Sequence, residues 1–267
     1  MNTTQQRFEG FLNTPVLWKD SEVCSLTQFK IEQEPLSFDQ VIDSNQRLGK
    51  YVERFVSYQL SKDNSIKTIA ENIQISKNKI TLGELDCILL KDEKPIHLEI
   101  IYKFYLYDAS VGETEIHHLI GPNRKDSLVE KLRKLKEKQL PLLYSKECSK
   151  YLKSINLNVN KVTQQVYFKG QLFIPFSNNN IQLSVLNQDA ICGFYIHQNE
   201  LSHFKDCAFY IPSKKDWIIT PHKNVNWINF DTFKGASKYY LTREFSPLCW
   251  MKKPNGETKQ FFFVWWT

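Results

Sequence analysis

The chain has 267 residues, of which 42% are hydrophobic and 13% aromatic, and it carries a formal charge of +6 with a pI near 8.8. This composition supports a folded core and excludes disordered, collagen-like and low-complexity classes. With no run near the roughly 20 apolar residues that span a bilayer, no basic-apolar start of a secretion signal, and six cysteines (24, 87, 148, 192, 207, 249) lacking any Cys-x-x-Cys pair, the chain reads as a soluble cytoplasmic protein with free thiols.

Residues 1 to about 40 alternate aromatic and apolar positions (Phe8, Phe11, Leu12, Val16, Leu17, Trp18) with polar turns, and read as a partly helical lead-in packed on the main body. From Ser44 to Ser61 the apolar positions recur at three- and four-residue spacing, which predicts a helix with Asp43 or Ser44 as its cap. Alternation then predicts strands at Ile66–Ile75, Glu84–Leu90 and Ile96–Tyr107, the last two joined by the polar hairpin loop Lys91-Asp92-Glu93-Lys94-Pro95. Leu128, Leu132, Leu135 and Leu140 mark the buried stripe of a second helix whose other faces are lysine-rich. Gln165–Phe176 is a further strand, and beyond about residue 185 the chain turns aromatic and β-like (Gly193–Ile196, Trp217–Ile219, Gln260–Trp266). Helix, three strands, helix, strand predicts an α/β three-layer core over residues 41–180, with a β-rich, aromatic C-terminal extension at 181–267.

Two of these strands carry charge where a buried strand carries valine or leucine. Asp86 lies on one and Glu99 on the next, with Lys103 on the same face as Glu99 because side chains alternate. A charge in mid-strand is costly unless it is paired or binds a metal. The bland alternative is a buried ion-pair network that fixes strand register, yet two carboxylates and one lysine leave a net negative charge. Glu84 shares the parity of Asp86 and reads as a solvated residue at the strand entrance. Glu53 borders the buried stripe of the first helix, either facing the site or pairing with Lys50 or Arg54 at the rim.

The order of elements, with Asp on the second strand and Glu and Lys on the third, resembles the PD-(D/E)XK (restriction-endonuclease-like) nuclease superfamily. Gly83-Glu84-Leu85-Asp86, the stretch from His97-Leu98-Glu99 to Lys103-Phe104-Tyr105-Leu106, Gly121-Pro122-Asn123-Arg124-Lys125-Asp126, Lys138-Gln139-Leu140-Pro141-Leu142 and Phe168-Lys169-Gly170-Gln171-Leu172-Phe173 are similar, in that order, to a bacterial domain-of-unknown-function family, number eighteen fifty-three. The resemblance implies a restriction-endonuclease-like fold and a Mg²⁺- or Mn²⁺-dependent nuclease acting on DNA or RNA. Asp86 and Glu99 would be the metal ligands, Lys103 the catalytic lysine and Glu53 an auxiliary acid. The superfamily lysine lies two residues after the glutamate, where this chain has Ile101; Lys103 keeps the face but sits about 6–7 Å further on. Asn123, Arg124 and Lys125, ahead of the second helix, are candidate phosphate-binding residues, or simply a Pro-Asn turn with solvated charges. The rival reading is a non-catalytic nucleic-acid or protein-interaction module on the same fold. The aromatic tail offers either base-stacking surface or core.

Overall fold

In the computed structural model, residues 3–19, 22–31, 37–43, 45–178 and 180–267 are described. The elements in chain order are α1 (Thr3–Asn13), α2 (Leu48–Lys62), β1 (Ile66–Lys77), β2 (Ile80–Lys91), β3 (Lys94–Tyr107), β4 (Leu119–Ile120), α3 (Leu128–Lys134), α4 (Lys146–Ser154), β5 (Thr163–Pro175), β6 (Ile191–Ile196), β7 (Ala208–Tyr210), α5 (Phe230–Leu241), β8 (Leu248–Lys252) and β9 (Thr258–Phe263). The class is mixed α/β. Two compact units divide the chain: Val16–Tyr102 with Glu130–Lys169, and Met1–Pro15 with Lys103–Val129 and Gly170–Thr267. β3 and β5 contribute residues to both.

The first of these units holds the long antiparallel hairpins. β1 pairs with β2 from Ile66/Lys91 to Lys77/Ile80, and β2 pairs with β3 from Lys91/Lys94 to Cys87/Leu98. Both turns are two residues long with positive φ at each position: Asn78 and Lys79 at 49° and 65°, Asp92 and Glu93 at 49° and 62°. This is the turn geometry whose twist matches that of the flanking strands. Ile73, Ile75, Leu85 and Ile88 pack with Leu142, Leu143, Cys148 and Leu152 in one apolar cluster. α2 begins at Leu48 with Arg47 at the cap position and no side-chain cap; Asp43 instead accepts the Asn45 N–H, and Ser44 lies outside the described residues.

The leucine stripe of the second expected helix is buried as predicted, but the helix is not continuous. α3 has seven residues, Leu135–Gln139 form a π turn in which the Leu140 N–H donates to the Leu135 carbonyl five residues back, and Leu140–Tyr144 form a 3₁₀ turn. Leucines at 128, 132 and 135 follow α-helical spacing, whereas 135 to 140 is five residues. A π turn takes in the extra residue and keeps Leu140 inside.

In the other unit β6 pairs in parallel with β5 and β9, while β8 pairs antiparallel with β9 and β7. A second cluster here includes Ile196, Phe209, Phe233, Met251, Phe261 and Phe263. Two expectations for this region are corrected. Trp217 and Ile218 belong to a 3₁₀ turn (Lys214–Ile218) instead of a strand, and residues 230–241 form α5, capped by the Asn229 side chain on the Thr232 N–H. The aromatic tail is core: Phe261, Phe262 and Phe263 are buried, so they present no stacking surface. Among the described residues all six cysteines are free, and no helix is long and apolar enough to cross a membrane.

Candidate functional site

The β2–β3 ladder ends at Cys87/Leu98. One further step of the same register would set Asp86 across from Glu99. Instead the Asp86 Oδ2 accepts the backbone N–H of Ile100 at 2.8 Å, so the side chain caps the backbone of β3 where its partner strand leaves it. β2 meanwhile stays paired to β1 through Glu71/Cys87, Ile73/Leu85 and Gln74/Glu84. Burial, and next the nearby Glu99 carboxylate, push the Asp86 carboxyl up to about 7; Glu53 adds to the rise, while the Ile100 N–H and the Lys131 ammonium oppose it. The Glu99 carboxylate is thus near enough to disfavour charge on Asp86.

Glu99 is fully buried, and each of its oxygens has one hydrogen-bond partner. His97 Nε2 lies 3.1 Å from its Oε1, and Gln139 Nε2 donates to its Oε2 at 2.5 Å. The chain continues outward on both sides. Gln164 Nε2 donates to the Leu140 carbonyl at 2.7 Å and lies 2.9 Å from His97 Nδ1. Since the Leu140 carbonyl can only accept, the Gln164 amide nitrogen must face it; His97 Nδ1 then accepts, and the ring proton sits on Nε2 and points at Glu99. On the other side Lys131 Nζ donates to Gln139 Oε1 at 2.8 Å.

Glu53, on α2, joins a rim cluster. Lys50 Nζ lies 2.6 Å from Glu53, 3.2 Å from Glu84 and 2.9 Å from the Asn72 side-chain oxygen. Burial raises the Glu53 carboxyl above its ordinary value, with Lys50 opposing. Glu53 is thus paired at the rim with Lys50 and also acts electrostatically on Asp86.

Lys103 lies in the other unit, where its ammonium holds Asp126 at 2.5 Å. Asn123, Arg124 and Lys125 lie in the same unit, in a closed turn ahead of α3: Arg124 N–H donates to Gly121 O, and Gly121 N–H to Asp126 O. The Asn123 Oδ1 accepts the Ser246 N–H; Arg124, with φ 56°, pairs with Asp108 at 2.9 Å and lies 4.6 Å over the Trp266 ring. Lys125 is exposed. Sequence reasoning missed His97, Gln164 and Lys131, and left Gln139 without a role. A buried histidine two residues before Glu99 on β3, and a glutamine near the start of β5, were the available signal.

The model of a family described as Domain of unknown function (DUF1853) matches residues 11–260. The chain belongs to the DUF1853 family. Searches of curated proteins and of solved structures found no match. In this DUF1853 member, no group of three or more His, Cys, Asp or Glu side chains among the described residues is arranged to hold a metal ion. What it offers is a carboxylate pair. Mg²⁺ is commonly held by one or two carboxylates, with waters and substrate phosphates completing its shell, whereas zinc needs a closed set of protein ligands. Each oxygen of a carboxylate has two acceptor positions, so the bonds from His97 and Gln139 leave Glu99 able to ligate. The donors present are carboxylate oxygens, the kind a hard divalent cation takes, and they make no zinc cage among the described residues.

Proposed function

We propose that this protein is a metal-dependent phosphodiester hydrolase acting on DNA or RNA, built on a restriction-endonuclease-like core. The observation that carries the reading is the placement of Asp86 on the Ile100 N–H, next along the strand to the buried Glu99, where β2 parts from β3, with the Glu99 carboxylate disfavouring charge on Asp86. The order α2, β1, β2, β3, α3, β5 supports the fold assignment.

Asp86 and Glu99 would hold Mg²⁺ or Mn²⁺, whose chemistry is to neutralise charge on the phosphoryl oxygens and to acidify a bound water. His97 and Gln139 fix the Glu99 carboxylate, so its direction is set before substrate arrives. The Ile100 N–H does the same for Asp86. Glu53, held by Lys50, adds negative charge at the rim that favours a cation.

A second reading is favoured by one observation. Lys103, the lysine expected to complete the site, is engaged with Asp126, as a non-catalytic nucleic-acid or protein-interaction module would permit. Incubation of the purified protein with plasmid DNA and with RNA in Mg²⁺ or Mn²⁺ decides between them. Cleavage that is abolished by chelation and by Asp86→Ala supports hydrolysis; no cleavage of either nucleic acid, or equal cleavage by the variant, supports the module.

A further inference from the structure

We propose that the unit of Met1–Pro15, Lys103–Val129 and Gly170–Thr267 binds an uncharged nucleoside in the polar cleft between α1 and residues 218–224. The site is independent of the hydrolase reading and uses none of the residues assigned there. Two adjoining cavities, of about 640 and 350 Å³, share Asn13, Ile219, Thr220 and Pro221 in their walls. That size suits a small molecule. Gly10 lets the two walls approach, since a Cβ there would collide with the Ile218 carbonyl oxygen.

The lining decides what can bind. Carboxamides dominate it: Gln6, Asn13 and Asn224 in the wider cavity, Gln171 and Gln260 in the narrower one. Its acids are Glu9 and Asp189, and no lysine or arginine lines it among the described residues. α1 also ends at Asn13, in this wall, where the helix dipole is negative. A phosphate or carboxylate would therefore meet like charge and no counter-charge.

The inner wall is ordered in advance. Gln171 and Gln260 are only 6% and 8% exposed. Gln260 Nε2 donates to Gln171 Oε1 at 3.0 Å, and the Cys192 thiol donates to the same oxygen at 3.5 Å. Burial pushes that thiol up to about 12, so it stays neutral; Gln260 opposes the rise, as an N–H does and a carbonyl does not. Both contacts of Gln260 thus use its amide nitrogen, which leaves its Oε1 to accept from a ligand. Trp250 is the register partner of Gln260, on the same face of the sheet, and its ring lies 5.2 Å from that of His222 in the cleft wall. The Trp250 Nε1 is buried with no hydrogen-bond partner among the described residues, a second polar group at this wall with capacity to spare.

A nucleobase edge carries donors and acceptors side by side, and one Asn or Gln can pair with both kinds on adenine. Asn13, common to both cavities, and Gln260 suit that edge, and the Thr220 hydroxyl suits the ribose. An amine only donates, and would leave the carboxamide N–H groups without acceptors.

The test is calorimetric titration of the full chain, in chelator, with adenosine, guanosine, uridine, adenosine 5′-monophosphate and spermidine. At least one nucleoside should bind at a single site, and the monophosphate should bind at least roughly tenfold more weakly than adenosine. Asn13→Ala, which removes an exposed carboxamide, should weaken the nucleoside about tenfold. Thr220→Trp, which fills the shared wall, should abolish binding, with circular dichroism showing both variants folded. Glu9→Gln should keep nucleoside binding and narrow the gap to the monophosphate. No binding of any of the three nucleosides, undiminished binding by Thr220→Trp, or tighter binding of the monophosphate or of spermidine overturns the assignment.

Discussion

Asp86→Asn is expected to stabilise the metal-free protein, by an amount that grows with pH. In the folded chain burial and Glu99 push the Asp86 carboxyl up to about 7, against about 3.9 in an unfolded chain. A carboxyl raised in this way contributes its full share of stability below pH 4 and loses it as pH climbs to about 7, because the folded state then has to accommodate a charge it resists. About three pKa units at 1.36 kcal/mol each give roughly 4 kcal/mol. Partial exposure to solvent leaves about 2–3 kcal/mol of that. Asparagine keeps an oxygen for the Ile100 N–H and carries no charge at any pH. The variant should therefore melt with the wild type near pH 4 and about 4–12 °C above it at pH 8, at some 2–4 °C per kcal/mol for a chain of this size. Differential scanning calorimetry in chelator across pH 4–9 measures this. A variant less stable than wild type at pH 8, or a difference that does not change with pH, refutes the reasoning, since Asp86 would then be a satisfied structural residue.

Addition of Mn²⁺ at pH 8 should stabilise the wild type by about 2.7 kcal/mol at a hundred times the dissociation constant, read as a raised melting temperature, and leave Asp86→Asn unmoved; equal shifts in the two would place the ion elsewhere. His97→Ala removes the Nε2–H that faces a fully buried carboxylate, and urea unfolding should show a loss of about 2–4 kcal/mol; a loss under 1 kcal/mol would mean the histidine does not support Glu99. Gly83→Ala builds a Cβ that meets Leu142 Cδ2 at 2.8 Å, the movable end of a side chain, so a modest cost of about 1 kcal/mol is expected from the same measurement; no loss at all would show that the leucine simply turns away. Lys50→Ala leaves Glu53 and Glu84 without their shared cation, and its exposed position predicts a stability change under about 1 kcal/mol that shrinks in high salt; a larger, salt-independent loss would make the rim cluster structural.

Much of the first unit was legible because its signals are local. Alternation gave β1, β2 and β3 to within a few residues, and the parity argument placed Asp86 and Glu99 on adjoining strands without any long-range information. The Leu135-to-Leu140 interval already broke the three-and-four spacing, and the π turn is the physical answer to that break. Other features depend on partners far along the chain. Lys103 has the right face for the site, but its stem reaches Asp126, a residue on a loop 23 positions away, and no spacing rule reports that contact. His97 and Gln164 are 67 positions apart and define each other's hydrogen bonds only once β3 and β5 are in place. The turn Asn78-Lys79 lacks the glycine that announces a tight hairpin, so the β1–β2 turn passed unread. α5 was hidden by Thr232, Gly235 and Ser237, weak helix formers inside an aromatic segment, although Asn229 and the Phe230, Phe233, Ser237 stripe were there to be read.

Whether Asp86 and Glu99 form one cation-binding pair is tested most directly by titrating Mn²⁺ into the purified protein by calorimetry at pH 8, alongside Asp86→Asn and Glu99→Gln. One saturable site in the wild type, lost in both variants while circular dichroism shows them folded, is the predicted result. No binding to the wild type, or binding that survives both substitutions, would contradict the metal-dependent hydrolase and return the carboxylate pair to a structural role.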